Sequence, residues 1–169
     1  LSGDPGRDLL RHTLATLAYR GGKAVRGAPP EFARFRVAAA GGAARGADRT
    51  RTPEAILAHV GDLMDWALEL TRGRRTWKDS SPLPWEEEVG RFFAAVSRLD
   101  EALAASEPLG CPPERLFQGP IADALTHVGQ IAMLRRLAGA PMRGENYYKA
   151  DIAAGRVGPE QAPPRVEFD

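Results

Sequence analysis

Residues 119–140, Gly-Pro-Ile-Ala-Asp-Ala-Leu-Thr-His-Val-Gly-Gln-Ile-Ala-Met-Leu-Arg-Arg-Leu-Ala-Gly-Ala, constrain the fold more than any other stretch of the chain. Pro120 suits a first helical position, Gly139 and Pro141 are stop signals, and Arg135 and Arg136 favour the carbonyl end of a helix dipole. Between Ile121 and Leu134 apolar residues point in nearly every direction around a helical axis, with Asp123 the only charged side chain. That is the pattern of a buried helix. His127 follows Asp123 by one helical turn, so the two project from one face. A buried, ionised carboxylate needs a cationic, hydrogen-bonding or metallic partner, and this requirement is the first pointer to a site.

Three further segments carry the helical period. One opens at Asp4-Pro5 or Gly6 and continues to about Arg26, with Leu10, Leu14, Leu17, Ala18, Gly21 and Val25 on one side and His12 nearly opposite, facing solvent. Gly21-Gly22 marks either a kink or close packing against a neighbour. Thr52-Pro53-Glu54 supplies an N-cap, a first-turn proline and an acid at the positive end of the dipole. The helix it opens runs to about Thr71, with Ile56, Val60, Leu63, Ala67 and Leu70 as its buried stripe and His59 on the shoulder of that stripe. Pro84 opens a third helix, with Glu86, Glu87 and Glu88 at the positive dipole end and Val89, Phe92, Phe93, Val96, Leu99 and Leu103 on its apolar side.

The connections are of three kinds. Residues 27–51 are rich in Gly, Pro, Ala and Arg and read as a long loop that tucks in Phe32 and Phe35. Residues 73–83, with Trp77 and Ser80-Ser81-Pro82, form a second connector. After Pro141 comes a polar and aromatic stretch with one short helix from Tyr148 to Ala154, then an irregular, Pro-rich tail over 155–169. Alternating β-branched runs are missing, so no strand is expected. The fold class is therefore all-α, and the economical architecture is a single four-helix-bundle domain over residues 1–169.

Charge and cysteine content narrow the function classes. Twenty-three basic against 22 acidic residues leave a net charge of +1, with no overall field for nucleic acid or an anionic membrane. The arginines at 34, 36, 45, 49 and 51 lack aromatic interleaving and read as a solvated loop. The single cysteine, Cys111, excludes an internal disulfide and a cysteine-based zinc site, and fits a reducing compartment. No apolar run approaches the roughly 18 residues of a spanning helix, and residues 1–11 lack the pattern of a signal peptide. The expectation is a soluble, cytoplasmic protein with neither nucleic acid nor membrane as partner.

Bundles place ligands on facing helices, and the candidates are His59, Asp123 and His127. Imidazole and carboxylate are ordinary ligands of zinc, nickel, iron and manganese, and three protein ligands leave room for water or substrate. Asp-x-x-x-His equally describes a buried hydrogen-bonded pair in a non-catalytic bundle that binds a small ligand or a protein partner. An accessible pocket at the three residues separates the first reading from the second, in which Trp66, Met133 and Leu134 would seal the pair. Gln130 is either a support for His127 or a packing group. Glu145, Tyr147 and Tyr148 either cover the mouth of the site or pack elsewhere.

Ala58-His59-Val60 in the second helix, and His127-Val128-Gly129-Gln130 in the fourth, give the chain a resemblance to the DinB/YfiT-like superfamily. These are four-helix-bundle metalloproteins, not the DNA polymerase that shares the DinB name. The fourth-helix signature there is H-x-x-x-H-x-G-Q, and the likeness spans roughly Leu9 to Leu137. Asp123 stands where many members carry the first histidine, and a carboxylate oxygen preserves a ligand at that place. The resemblance implies helices running up, down, down, up with the long crossover at 73–83. It further implies a divalent metal (Ni, Zn, Fe or Mn) on His59, Asp123 and His127, and a homodimer. Relatives include S-transferases that use low-molecular-weight bacterial thiols, and proteins described as hydrolases. The implied chemistry is activation of a thiol towards an electrophile, or of water for hydrolysis, on a small-molecule substrate.

Overall fold

A computed structural model describes residues 4–37 and 51–168. The helical starts and stops legible in the sequence are mostly where the chain uses them. Helix α1 spans Pro5–Val25, with the Asp4 carboxylate accepting from the amides of Gly6 and Arg7. Helix α2 spans Pro53–Thr71, with the Thr52 hydroxyl accepting from the Ala55 amide, and α3 spans Trp85–Ala104. A four-residue helix α4, Pro113–Leu116, leads through one π-helical turn, Phe117–Ile121, into α5, Ala122–Leu137. Pro120 therefore does not open the last helix as expected. It sits inside the π turn, where the widened ring tolerates a residue without an amide hydrogen. Gly139 takes φ 74°, the left-handed conformation that ends α5 at the predicted place.

The architecture is mostly helical. Helix α1 packs on α3 and α5, and α2 packs on the same two helices. Between them lies one apolar core that includes Leu14, Leu17, Met64, Phe92, Leu99 and Ile131. The paired glycines of α1 mark close packing: a Cβ on Gly21 would sit 2.6 Å from Phe92 Cζ of α3. Of the 27–51 connection, Pro30–Arg34 forms a 3-10 turn that buries Phe32 against Trp85 at 5.7 Å, while Phe35 is half-buried. Residues 38–50, with Arg45 and Arg49, lie outside the described residues.

Helix α5 departs from expectation in a way that matters for the site. Its inward residues Ala124, Val128 and Ile131 are buried, but Asp123, Thr126, Gly129, Gln130 and Met133 are exposed. The helix is apolar by composition, yet only one side of it meets the core. Alanine, glycine and methionine on the other side add little polarity, which hides the amphipathic pattern.

Two sets of buried ions hold the frame. On the crossover between α2 and α3, Arg91 pairs with Asp62 and with Glu88 at 3.2 Å, and donates to the Ala58 carbonyl at 3.4 Å. Asp62 also accepts from the Ser80 amide at 2.8 Å, and Glu88 from the Leu83 amide at 2.9 Å. Glu88 is thus not one of three equivalent dipole acids. It is fully buried while Glu86 and Glu87 are exposed. At helix ends, Arg7 donates to the carbonyls of Leu103, Ala105 and Glu107 after α3. Arg135 of α5 donates to those of Ala24, Arg26 and Gly27 at the end of α1, and to that of Ala140.

The tail also departs from expectation. No helix forms over 148–154; a 3-10 turn at Tyr147–Lys149 takes its place. Strand β1, Gly144–Glu145, pairs antiparallel with β2, Glu167–Phe168, placing Glu145 opposite Glu167. Like charges opposed across a ladder repel, and Lys23 of α1 resolves this by reaching both carboxylates at 2.7 Å. Burial pushes the Lys23 ammonium down, but its hydrogen bonds to Glu145 and Glu167 outweigh that and hold it above its usual range. Two residues of strand are too few to leave a periodic signal in the sequence.

Candidate metal centre

The structure brings together the three residues expected from the sequence. His59 comes from the second turn of α2, and Asp123 and His127 from adjacent turns of α5. One ligand atom from each lies within 4.8 Å of the others. His59 Nε2 stands 3.7 Å from Asp123 Oδ2, and His127 Nε2 stands 3.5 Å from Asp123 Oδ1. Both distances exceed a good hydrogen bond. They approach the separation of about 3.3 Å between neighbouring ligands around a tetrahedral ion with bonds near 2.0–2.1 Å. The two imidazole rings stand edge to face, with centroids 4.8 Å apart.

The hydrogen bonding of His127 suits this role. Its Nδ1 lies 2.8 Å from Gln130 Oε1. A carbonyl oxygen only accepts, so Nδ1 carries the hydrogen and Nε2 is left with its lone pair towards Asp123 and His59. A partner on the far nitrogen is how metal-binding histidines are commonly oriented. The i, i+3 spacing of His127 and Gln130 on one helix is the sequence signal for it.

His59 is half-buried against Trp77, which in turn packs on Trp66. Trp77, from the crossover, lies 5.6 Å from it and 5.8 Å from Trp66, both edge to face. Desolvation by burial, then the positive charge of Arg51 and the repulsion that a doubly protonated His59–His127 pair would meet, hold the His59 imidazole below its usual pKa despite Asp123 and Asp62. Neutral imidazole is the form that binds metal.

A consequence for pH follows. In the metal-free protein the folded state takes up the His59 proton less readily than the unfolded chain, whose histidine titrates near 6.5. The unfolded state then binds more protons as pH falls through and below that value, and stability falls with it. Urea unfolding of metal-free protein between neutral and mildly acidic pH is expected to show this loss, and His59→Asn is expected to flatten the slope. A slope unchanged in the variant would assign the proton uptake to another group.

The buried-carboxylate premise is corrected: the Asp123 side chain is 49% exposed. No seal closes over the three residues. Beside His59 and His127 opens a recess of about 590 Å³, with Met133 and Leu134 among its lining. A second, of about 410 Å³, adjoins Asp123 and Trp66. Neither Glu145 nor the tyrosines line these recesses. Glu145 is buried against Tyr19 and Lys23, Tyr147 packs on Tyr19 and under Arg20, and Tyr148 is exposed. His12 is exposed as expected. Trp77 and Arg51 were not recognisable as site residues, because both lie on connectors where no periodicity fixes a direction.

Among the described residues no helix is long and apolar enough to cross a membrane. No protein-family model, curated protein or solved structure gives a significant match to the chain.

Proposed function

We propose that the chain is a divalent-metal-dependent enzyme of the DinB/YfiT-like type, acting on a small molecule by thiol-dependent S-transfer or by hydrolysis. Its long helices would run up, down, down, up around the core. The observation that carries the reading is the convergence of His59 Nε2, Asp123 and His127 Nε2 without hydrogen bonds among them. The donor set fits zinc, nickel, iron or manganese. When bound, such an ion supplies the Lewis acidity that makes a thiol or a water nucleophilic near neutral pH. The protein's own part is defined by its side chains. Gln130 holds the His127 tautomer, Trp77 covers one side of His59, and the open recesses admit reactants.

The competing reading, a structural Asp123–His127 pair in a non-catalytic bundle, draws less support from a half-exposed carboxylate 3.5 Å from its histidine. The exposed apolar side chains of Leu9 and Leu137 fit a homodimer, and an unpaired Cys111 fits a cytoplasmic setting.

Titration of chelator-treated, tag-free protein with Zn²⁺, Ni²⁺, Fe²⁺ and Mn²⁺ tests the proposal. One ion per chain is expected to bind, and His59→Ala and Asp123→Ala are each expected to weaken it by more than about 100-fold, beyond the loss typical of outer-shell changes. Asp123→Ala removes a half-exposed side chain, so its fold is retained. No uptake of any ion, or uptake indifferent to both variants, would sink the enzyme reading. Thiol-transfer and ester-hydrolysis assays on the loaded protein then choose between the two reactions.

A further inference from the structure

Arg51 is an exposed arginine at the edge of the larger recess, one residue before the Thr52 cap of α2 and so at the same end of that helix as His59. Among the described residues it has no ion-pair or hydrogen-bond partner. Among the described residues, Glu54 faces Arg34 at 3.9 Å, and Asp123 faces the two histidines. Arg51 lines the same recess as His59 and His127. The wall of the recess away from the histidines is apolar, formed by Ile56, Met133 and Leu134. The space thus brings together one arginine, an apolar wall and two of the three donors, His59 and His127. A volume of about 590 Å³ lies within the range of small-molecule sites.

We infer that the larger recess binds a small carboxylate, whose carboxylate group pairs with Arg51 while its apolar part lies along Ile56, Met133 and Leu134 and its far end reaches His59 and His127. Among the described residues the recess offers one guanidinium, whose planar fork matches a carboxylate, whereas a phosphate dianion calls for more positive charge than that. Only the far end depends on the metal reading. For the S-transferase chemistry, the matching reactant is a thiol that carries a carboxylate. The smaller recess past Asp123 is then left for the second reactant.

The test compares mercaptopropionate with its neutral analogue mercaptopropanol by calorimetry on zinc-loaded protein. Mercaptopropionate is expected to bind about 10-fold more tightly, the worth of one partly exposed charge-assisted contact. Arg51→Gln is expected to erase that advantage without changing the affinity for mercaptopropanol, and Arg51→Lys to restore part of it. Equal binding of the two thiols to the parent protein, or equal weakening of both by Arg51→Gln, would overturn the inference. Inorganic phosphate that displaces mercaptopropionate at matched concentration would overturn the carboxylate assignment in favour of a phosphate site. Should zinc fail to bind, hexanoate and hexanol on the metal-free protein, followed by ligand-observed NMR with and without Arg51→Gln, test the Arg51 contact alone. Preference for hexanoate that vanishes in the variant supports it, and absence of preference refutes it.

Discussion

Arg91→Met is expected to lower the free energy of unfolding by about 3–5 kcal/mol, the cost of removing one partner from a buried ion pair. Arg91 is the shared cation for Asp62 and Glu88, whose side chains are 1% and 0% exposed. Methionine matches much of the volume of the arginine stem but leaves both carboxylates facing each other without a counter-charge. Domains of this size hold about 5–15 kcal/mol in total, so the variant loses a large fraction of its stability. The damage also reaches the site. Asp62 and Glu88 hold the amides of Ser80 and Leu83, and the connector between them and α2 carries Trp77 onto His59. Urea unfolding gives the energy, and near-ultraviolet circular dichroism reports the tryptophan packing. Arg98→Met is the control. Its pairing with Asp65 at 2.6 Å joins two side chains that are 47% and 41% exposed, and such surface pairs are worth about 0–1 kcal/mol. A loss below about 1 kcal/mol for Arg91→Met would mean that water reaches Asp62 and Glu88 once the guanidinium is gone.

Arg135→Met is expected to cost about 3 kcal/mol, through carbonyls rather than carboxylates. The Arg135 guanidinium, 6% exposed as a residue, bonds the carbonyls of Ala24, Arg26, Gly27 and Ala140 at 2.7–3.3 Å. The first three close α1, where helix geometry leaves acceptors unpaired and the dipole favours a cation. Burial lowers the arginine pKa, but a guanidinium starts so far above neutrality that it stays charged. Arg135→Lys keeps the charge and loses the fork, so it should recover less than half of the loss. Hydrogen exchange at the last turn of α1 is the more selective measure. Faster exchange confined to that turn is expected. Uniform acceleration through the chain would mean that the arginine supports the core as a whole.

Reading the sequence found the donors better than their surroundings. His59, Asp123 and His127 lie on long periodic helices, where spacing fixes the direction of a side chain, and the structure brings all three together. The reason given for Asp123 was at fault. Composition made α5 look enclosed, because Gly129 and Met133 on its outer side read as apolar without being covered. Glu88 could not be told from Glu86 and Glu87, since three successive acids at a helix start differ only in which one the helix turns inward. Arg135 was assigned to its own helix end, where it does reach the Ala140 carbonyl, but its other three acceptors lie more than a hundred residues earlier. Tertiary partners of long polar side chains leave no local trace. The same holds for Trp77, Arg51 and the two-residue strands of the tail.

Lys23 also ties the order of synthesis to the order of assembly. Its two acceptors are Glu145 and Glu167, 122 and 144 residues downstream, and Tyr19 on the same helix waits for Glu145 as well. At a translation rate of roughly 5–20 residues per second, the last of these partners leaves the ribosome roughly 7–30 s after Lys23. The apolar face of α1 meets α3 and α5 earlier in that interval, but Lys23 and Tyr19 wait for their carboxylates. The helix made early is therefore among the last to have its polar partners completed.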